Sequence, residues 1–203
     1  MTKKYELVLD DTISFWGWKL FRIRALISFG SVEAGDLGGY IEKEENLSHD
    51  GNAWVSGNAK VSGNAKVSGN AEVSGDAKVS GNAEVSGNAK VSGDAKVSGN
   101  AEVSGNAKVS GDAKVSGNAE VSGNAEVWGN AKVSELGDLI VFKNHWSSGR
   151  HFTYTKSNKM WKVGCFYGTG QELIEKAYRD SEKSGNYYKA CVDFVENLEK
   201  LGD

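Results

Sequence analysis

Apolar and polar residues alternate with a strict six-residue period through the middle of the chain. Fourteen consecutive hexads run from Gly51 to Ser134, and nearly all have the pattern Gly-[Asn/Asp]-Ala-[Lys/Glu]-Val-Ser. In an extended chain, Val and the Ala two positions before it lie on one side, whereas Lys or Glu and Ser face the other side. Gly-Asn supplies a corner in every hexad, because these residue types tolerate left-handed backbone conformations. The pattern predicts short strands joined by corners, with Val and Ala in the core.

The position of aspartate within the hexads indicates how many of them form one coil. Asp replaces Asn only at Asp76, Asp94 and Asp112, which are eighteen residues apart. Three hexads therefore make one triangular coil, and successive coils stack at the strand spacing of about 4.8 Å. Duplication of an eighteen-residue unit in the gene is compatible with this geometry. The outward charges then fall on three faces: Lys60, Lys78, Lys96, Lys114 and Lys132; Lys66, Glu84, Glu102 and Glu120; and Trp54, Glu72, Lys90, Lys108 and Glu126.

Two other interpretations fit the repeat less well. A strict period of six leaves no apolar stripe at the 3.6-residue period of an amphipathic helix. Gly, Ser and Asn are abundant enough for a disordered segment, but a linker does not need unbroken Val and Ala registration. The array is electrically neutral, with eight Lys against five Glu and three Asp, and the whole chain has a formal charge of −3. We therefore expect neither a DNA-mimicking polyanion nor a DNA-binding polycation.

The segments on either side of the array predict two caps. Residues 1–50 form an N-terminal β cap, in which Ile41 and Leu47, one hexad apart, begin an imperfect first coil. The array covers residues 51–139, since Leu139 keeps the hexad register. Atypical end repeats of this kind cover the open core of a solenoid.

Residues 140–203 predict a β-hairpin followed by two helices. The hairpin strands cover Phe152–Thr155 and Met160–Phe166. Thr169 begins a capping box for the first helix, and Asn186 is expected to cap the second. The second helix has apolar residues at helical spacing, which we assign to its core face: Tyr187, Cys191, Phe194, Leu198 and Leu201.

The hexads resemble those of the hexapeptide-repeat family, whose fold is a left-handed parallel β-helix. The resemblance implies a mainly β solenoid of about five coils, with the N-terminal β cap and a small C-terminal ββαα module. The best-known members are acyltransferases and related sugar-modifying enzymes, often trimeric, in which a His activates the acceptor for attack on an acyl thioester. The fourteen hexads here contain no His, Cys or Arg and no inserted loop, which departs from the pattern of those enzymes.

A second resemblance rests on the flanking segments. Phe21–Leu26, Gly35–Glu42 and Asn46–Ser48 resemble the opening of a family of small hexapeptide-repeat proteins encoded by bacteriophages and prophages. The segment Gly164–Thr169 resembles the C-terminal module of the same family. Because members are commonly called transferases from the repeat alone, the resemblance implies a fold and a phage setting rather than a particular chemistry.

Residues able to carry chemistry gather in one segment of the C-terminal module. His145, Trp146, Arg150 and His151 lie within seven residues, and Trp128 stands in the thirteenth hexad. Because Trp, Tyr and Arg dominate the energetics of interfaces, these five are our candidate partner-binding residues. The alternative is that the terminal tryptophans seal the ends of the solenoid.

Cys165 is the thiol closest in sequence to this segment. Paired with a His it would be a nucleophile, but no orienting acid is evident, and its place between Val163 and Phe166 predicts a small buried core residue. His145, His151 and Cys165 are separated by five and thirteen residues, which matches no common zinc-ligand spacing. We expect no catalytic residue, no metal and no cofactor.

Patterning and composition also bear on cellular location. The longest apolar runs are far shorter than the roughly 20 residues of a membrane-spanning helix, and the N-terminal residues lack the apolar core of a signal peptide. Two cysteines agree with a reducing compartment. We expect a cytoplasmic protein, in the host cytoplasm if the chain is phage-encoded.

Together these observations favour a non-enzymatic binding or scaffold protein whose terminal modules contact a protein partner. The partner is a host factor, such as a defence or replication protein, or a second copy of the chain in a dimer or trimer. Neither nucleic acid nor a membrane is expected as a partner. One alternative is an acyltransferase-like enzyme working between the subunits of a trimer, with His145 or His151 as the base. A purely structural oligomeriser is another.

Overall fold

The computed structural model describes residues 3–15 and 17–201. Three N-terminal strands, β1 (Tyr5–Phe15), β2 (Trp18–Ala25) and β3 (Leu37–Ile41), lead into the array, and a sheet with two helices follows it. The predicted β-solenoid with a strand cap and a two-helix module is confirmed.

Each hexad of the array contributes one strand of two residues. These strands are β4 (Trp54–Val55), β5 (Lys60–Val61), β6 (Lys66–Val67), β7 (Glu72–Val73), β8 (Lys78–Val79), β9 (Glu84–Val85), β10 (Lys90–Val91), β11 (Lys96–Val97), β12 (Glu102–Val103), β13 (Lys108–Val109), β14 (Lys114–Val115), β15 (Glu120–Val121), β16 (Glu126–Val127) and β17 (Lys132–Val133). Each pairs in parallel with the strand eighteen residues away, as β8 does with β11. The prediction of three hexads per coil is therefore confirmed.

Valine and alanine fill the interior of the array, as the pattern predicts. Every Val and Ala of the fourteen hexads has at most 1% of its surface exposed. The corners need glycine for two reasons: Gly75 has a φ of +70°, and a Cβ there would lie 3.0 Å from the backbone nitrogen of Gly93 in the next coil. Backbone conformation and stacking distance thus select the same residue.

Outward side chains form ladders along the rod. At two of the three corners, stacked asparagine amides hydrogen-bond to each other, as from Asn64 Nδ2 to Asn82 Oδ1 at 3.1 Å. The third corner carries the aspartates, whose carboxylates cannot donate such bonds. On the face that begins with Trp54 and carries both Lys and Glu, Lys90 Nζ lies 2.9 Å from Glu72 Oε2. The face from Lys60 to Lys132 carries only lysines at its outward strand positions, and its five lysines stack in direct register, as predicted.

The N-terminal cap completes the first coil. β3 pairs in parallel with β5 and places Ile41 beside Val61. Leu47 forms a bridge to Val67, so the predicted imperfect first coil is present. β1 and β2 form an antiparallel hairpin that continues the same sheet.

The tryptophans near the two ends have different surroundings. Trp54 is buried, and its ring meets Phe29 edge-on at 5.4 Å between centroids. Trp18 is half exposed, and Trp16 lies outside the described residues. Trp161 belongs to the core of the C-terminal module. Of the tryptophans in the described part of the N-terminal cap and first hexad, Trp54 is the one that covers the solenoid core.

The predicted hairpin is part of a larger antiparallel sheet with four strands. These are β18 (Leu139–Lys143), β19 (His151–Thr155), β20 (Met160–Val163) and β21 (Phe166–Gly168), paired in that order. Residues 160–166 were expected to form one strand, but they divide at a turn.

Cys165 lies in that turn and is exposed, so the prediction of a buried core cysteine is wrong. Gly164 adopts a φ of +56° and reverses the chain between β20 and β21. A strand pattern of alternating residues does not reveal such a turn, because one glycine is enough to end the strand.

The sheet lies between the last coil of the solenoid and two helices. On one face Leu139 packs against the solenoid core, and the backbone N–H of Glu126 donates to Thr153 Oγ1 at 2.9 Å. The helices α1 (Gly170–Asp180) and α2 (Glu182–Leu201) cover the other face. Neither of these helices, in the part of the chain that the structure describes, is long and apolar enough to cross a membrane.

The helix signals in the sequence were partly correct. Thr169 caps α1, as predicted, and its side chain accepts a hydrogen bond from the backbone N–H of Glu172. Asn186 does not cap α2, which begins four residues earlier at Glu182; instead its Oδ1 accepts a hydrogen bond from the Tyr178 hydroxyl at 2.8 Å.

The buried face of α2 also differs from the prediction. Gly185, Tyr188, Val192 and Val195 are buried, whereas Phe194 and most of its predicted companions are exposed. Gly185 explains the choice of face, because a Cβ there would lie 2.2 Å from the ring of Tyr178 on α1. Only a glycine permits this close approach of the two helices.

Candidate protein-binding surface

The loop of residues 144–150, which joins β18 to β19, carries most of the predicted site residues. Buried Asn144 holds this loop in place: its Nδ2 donates to Tyr188 Oη at 3.0 Å, and its Oδ1 accepts from the backbone N–H of Ser147 at 2.9 Å. The backbone N–H of Asn144 also donates to the carbonyl of Arg150 at 2.8 Å. The loop is thus anchored to its own ends and to α2.

Trp146 packs into an aromatic cluster at the start of α2. Its ring stacks on Tyr187 at 4.8 Å with an interplanar angle of 6°, and it meets Tyr188 edge-on at 4.9 Å. Exposed His145 lies edge-on to both Trp146 and Tyr187. The indole N–H of Trp146 is buried and has no acceptor among the described residues. The structure therefore brings His145 and Trp146 together and adds Tyr187 to them.

An uncharged stripe continues from Tyr187 along α2. Phe194 is 51% exposed and Leu201 is 83% exposed, and the ring of Phe194 meets Phe142 edge-on at 6.3 Å. No Asp, Glu, Lys or Arg interrupts the stripe over its seven positions, which are Tyr187, Ala190, Cys191, Phe194, Asn197, Leu198 and Leu201. Exposed contiguous apolar surface of this kind marks interaction sites.

We call His145, Trp146, Tyr187, Phe194, Leu198 and Leu201 the terminal surface. Sequence reasoning missed the helical part of it, since the apolar spacing was taken for the core face. The available signal was that α2 has two apolar faces, one through Tyr188 and Val192 and one through Phe194. A helix that packs on one side only can bury just one of them.

Arg150 and His151 line a separate small cavity together with Cys165. The cavity has a volume of about 230 Å³ and also touches Asn144 and Tyr188. The Arg150 side chain makes no hydrogen bond or ion pair with any described residue. Burial raises the pKa of the Tyr188 phenol, and the hydrogen bond from Asn144 opposes this shift, so Tyr188 stays neutral.

Trp128 lies apart from the loop. Its ring is 4.3 Å from Lys162 Nζ, and its carbonyl accepts a hydrogen bond from the Tyr167 hydroxyl at 3.3 Å. Lys162 is buried and lies 3.8 Å from Glu126 Oε2. Trp128 therefore contacts the C-terminal sheet at its junction with the solenoid and is separate from the terminal surface.

A second polar cluster, at the N-terminal end, escaped sequence reasoning. Lys4 is buried, its Nζ donates to the carbonyl of Ala53 at 2.9 Å, and it lies 4.7 Å from the ring centroid of Phe29. Tyr5 stacks on His49 at 4.3 Å. No pattern in the first residues signals a buried lysine, because its acceptors are backbone carbonyls brought near only by the folded coil.

No family model matches the chain, and no curated protein matches it.

Proposed function

We propose that this protein is a non-enzymatic binding or scaffold protein whose C-terminal module contacts a protein partner. The observation that carries the proposal is the terminal surface, in which an aromatic stack continues into an uncharged helical stripe. Aromatic anchors beside apolar side chains are the typical composition of the centre of a protein interface.

The solenoid serves in this proposal as a rod that holds the two end modules apart. Stacked at about 4.8 Å per coil, five coils span roughly 25 Å. The resemblance to phage proteins makes a host factor, such as a defence or replication protein, the natural partner class. The site of action would then be the host cytoplasm. A second copy of the chain, in a dimer or trimer, is the other partner that the surface suits.

The test compares native complexes of tagged wild type and of a variant with Phe194→Ser and Leu198→Ser, purified from host extract. We expect wild type to carry a stoichiometric partner and the variant to lose at least about thirtyfold in affinity, as for loss of one interface hot spot. The variant Lys176→Ser with Lys183→Ser is the matched control, since these exposed lysines of the same two helices make no ion pair with described residues. A complex that survives both variants equally would contradict the proposal.

The loop residues provide a second arm of the same test. Trp146→Ala with Arg150→Ala is expected to weaken the complex as well, because the first change removes the ring that Tyr187 stacks on. Since Trp146 packs into the core of the module, near-ultraviolet circular dichroism must first show that the variant is folded. Native mass spectrometry then separates a host partner from a second copy of the chain.

One observation supports the acyltransferase alternative. Cys165, His151 and Arg150 line the same cavity of about 230 Å³, so a thiol, an imidazole and a guanidinium face one space. Thioester turnover with acetyl-CoA that His151→Ala abolishes would favour this alternative over a binding protein. His145 packs against Trp146 and Tyr187 instead, so His145→Ala is a control for that assay.

A further inference from the structure

A larger cleft lies on the other side of α2, away from the terminal surface. It has a volume of about 760 Å³ and is bounded by the β19–β20 hairpin, the first turn of α1 and the C-terminal half of α2. Tyr154, Trp161, Val192 and Val195 give it an apolar floor. A cleft with an apolar floor and a few polar groups at one end is the usual form of a small-ligand site.

The indole N–H of Trp161 has no acceptor among the described residues, although the side chain is only 2% exposed. Its nitrogen lies beside Gly170, since a Cβ on that glycine would be 3.3 Å from Trp161 Nε1. The neighbouring Tyr154 hydroxyl, in contrast, donates to Glu199. The Trp161 N–H is not among the fully buried unpaired polar atoms of the described residues, so it reaches the surface of the cleft and is available as a donor to a ligand there.

The first turn of α1 offers further donors at the same place. Thr169 and Glu172 form a capping box that accounts for the N–H groups of both residues. The N–H groups of Gly170 and Gln171 have no acceptor in the described part of the chain, and both residues line the cleft. The start of an eleven-residue helix also carries a partial positive charge.

The charged residues around the cleft add to this preference for an anion. Glu199 is already held by the Tyr154 hydroxyl and lies 3.4 Å from Lys159 Nζ. Glu196 remains as the opposing carboxylate. The full set that lines the cleft has an excess of one positive charge: Lys156, Lys159, Lys200, Glu196 and Glu199.

We infer that this cleft binds a carboxylate carried on an apolar group. The carboxylate accepts from the Trp161 indole and from the free N–H groups of Gly170 and Gln171, while the apolar group lies on Tyr154 and Val192. Two sources supply this chemistry: the C-terminus of a peptide chain with an apolar last residue, and a free branched-chain acid. The inference does not depend on the terminal surface.

The experiment titrates the full-length, ¹⁵N-labelled protein with N-acetyl-leucine and follows the indole and backbone N–H resonances. Trp161→Phe identifies the Trp161 signal. We expect saturable shifts of the Trp161 indole and of Gly170 and Gln171, with a dissociation constant of about 1 mM. N-acetyl-leucinamide, which lacks the carboxylate, should leave these signals unchanged. Equal shifts with the amide, or no saturable shift with the acid, would overturn the inference.

Two variants test the lysines around the cleft and the free space beside Gly170 without removing Trp161. Lys156→Gln with Lys200→Gln is expected to raise the dissociation constant at least about fivefold, whereas Lys176→Gln with Lys183→Gln should leave it unchanged. Gly170→Ala places a methyl group 3.3 Å from the indole nitrogen and 2.7 Å from Val192 Cγ1, and should abolish the shifts. An unchanged affinity in the lysine variant would count against the site.

A comparison of two ligands separates the two sources of the carboxylate. Tighter binding of N-acetyl-leucine than of 4-methylpentanoate indicates a chain terminus, and the reverse order indicates a free acid.

Discussion

The buried lysine at the N-terminal end gives this protein an unusual dependence of stability on pH. Burial lowers the pKa of Lys4 from 10.5 to about 8, and the charge of Asp50 opposes this shift. In the unfolded chain Lys4 has its ordinary pKa of about 10.5. Between the two values the unfolded state binds more protons than the folded state, so stability rises as the pH is raised.

The size of the effect follows from the two pKa values. At 1.36 kcal/mol for each unit, the difference corresponds to about 3 kcal/mol in total, of which about 2 kcal/mol is gained between pH 8 and pH 10. Tyrosine acts in the opposite direction above pH 10. The pKa of the buried Tyr5 phenol is raised by burial and by Glu44 and Glu45, so its ionisation favours the unfolded chain there. Burial also raises the pKa values of Tyr154, Tyr188 and Cys191, which act in the same direction as Tyr5, so the contribution of Lys4 is measured against a variant that keeps all of these groups.

Urea denaturation of wild type and of Lys4→Met, followed by far-ultraviolet circular dichroism from pH 7 to pH 11, measures this effect. Met keeps an unbranched chain in the pocket but cannot titrate. The variant also loses the bonds from Lys4 Nζ to the carbonyls of Gly51 and Ala53, so the informative quantity is the change of the stability difference with pH and not its sign. The wild-type free energy of unfolding should rise relative to the variant by about 2 kcal/mol between pH 8 and pH 10. A constant difference, or one that falls with pH, would refute the reasoning.

Three further predictions concern the array and the cysteines. Val97→Ala, which empties space at a fully buried position, should lower the free energy of unfolding by about 2 kcal/mol in urea denaturation, whereas exposed Lys96→Ala should change it by less than about 0.5 kcal/mol. Deletion of residues 93–110 removes one coil and should leave a folded protein that is shorter by about 4.8 Å, measurable by small-angle X-ray scattering. A thiol reagent should modify exposed Cys165 at least about tenfold faster than Cys191, whose pKa is raised by burial; equal rates would contradict the assigned burial.

The array could be predicted from sequence because every hexad repeats the same local pattern of apolar, polar and glycine positions. Val and Ala alternate with polar residues, glycine adopts positive φ at each corner, and a coil of eighteen residues follows from the aspartate spacing. All three features appear in the structure, as at Gly75, where the backbone conformation and the contact to Gly93 require the same residue. Local propensity and stacking geometry agree at every position, which is the condition for a dependable prediction.

The C-terminal module was harder to predict because single contacts between distant residues decide it. The spacing of apolar residues on α2 fits two different faces, and the contact of Gly185 with Tyr178 selects the one through Tyr188. Cys165 is exposed because one glycine turns the chain before it. The cleft around Trp161 combines three separate elements. Neither hydrophobic periodicity nor composition indicates such single contacts between residues that are distant in sequence.

The uniformity of the solenoid also bears on where a partner can bind. Each coil presents the same buried Val and Ala, and its outward positions differ only in the choice between Lys and Glu or between Asn and Asp, apart from Trp54 and Trp128. A partner that docked on the array would meet nearly equivalent sites one coil apart, so it would have no unique register along the rod. The aromatic cluster at Trp146 and the stripe through Phe194, both in the C-terminal module, have no counterpart in the array. Unique residues at one end allow a single docking position. For that reason substitutions of the outward Lys and Glu residues of the array should affect the complex far less than Phe194→Ser.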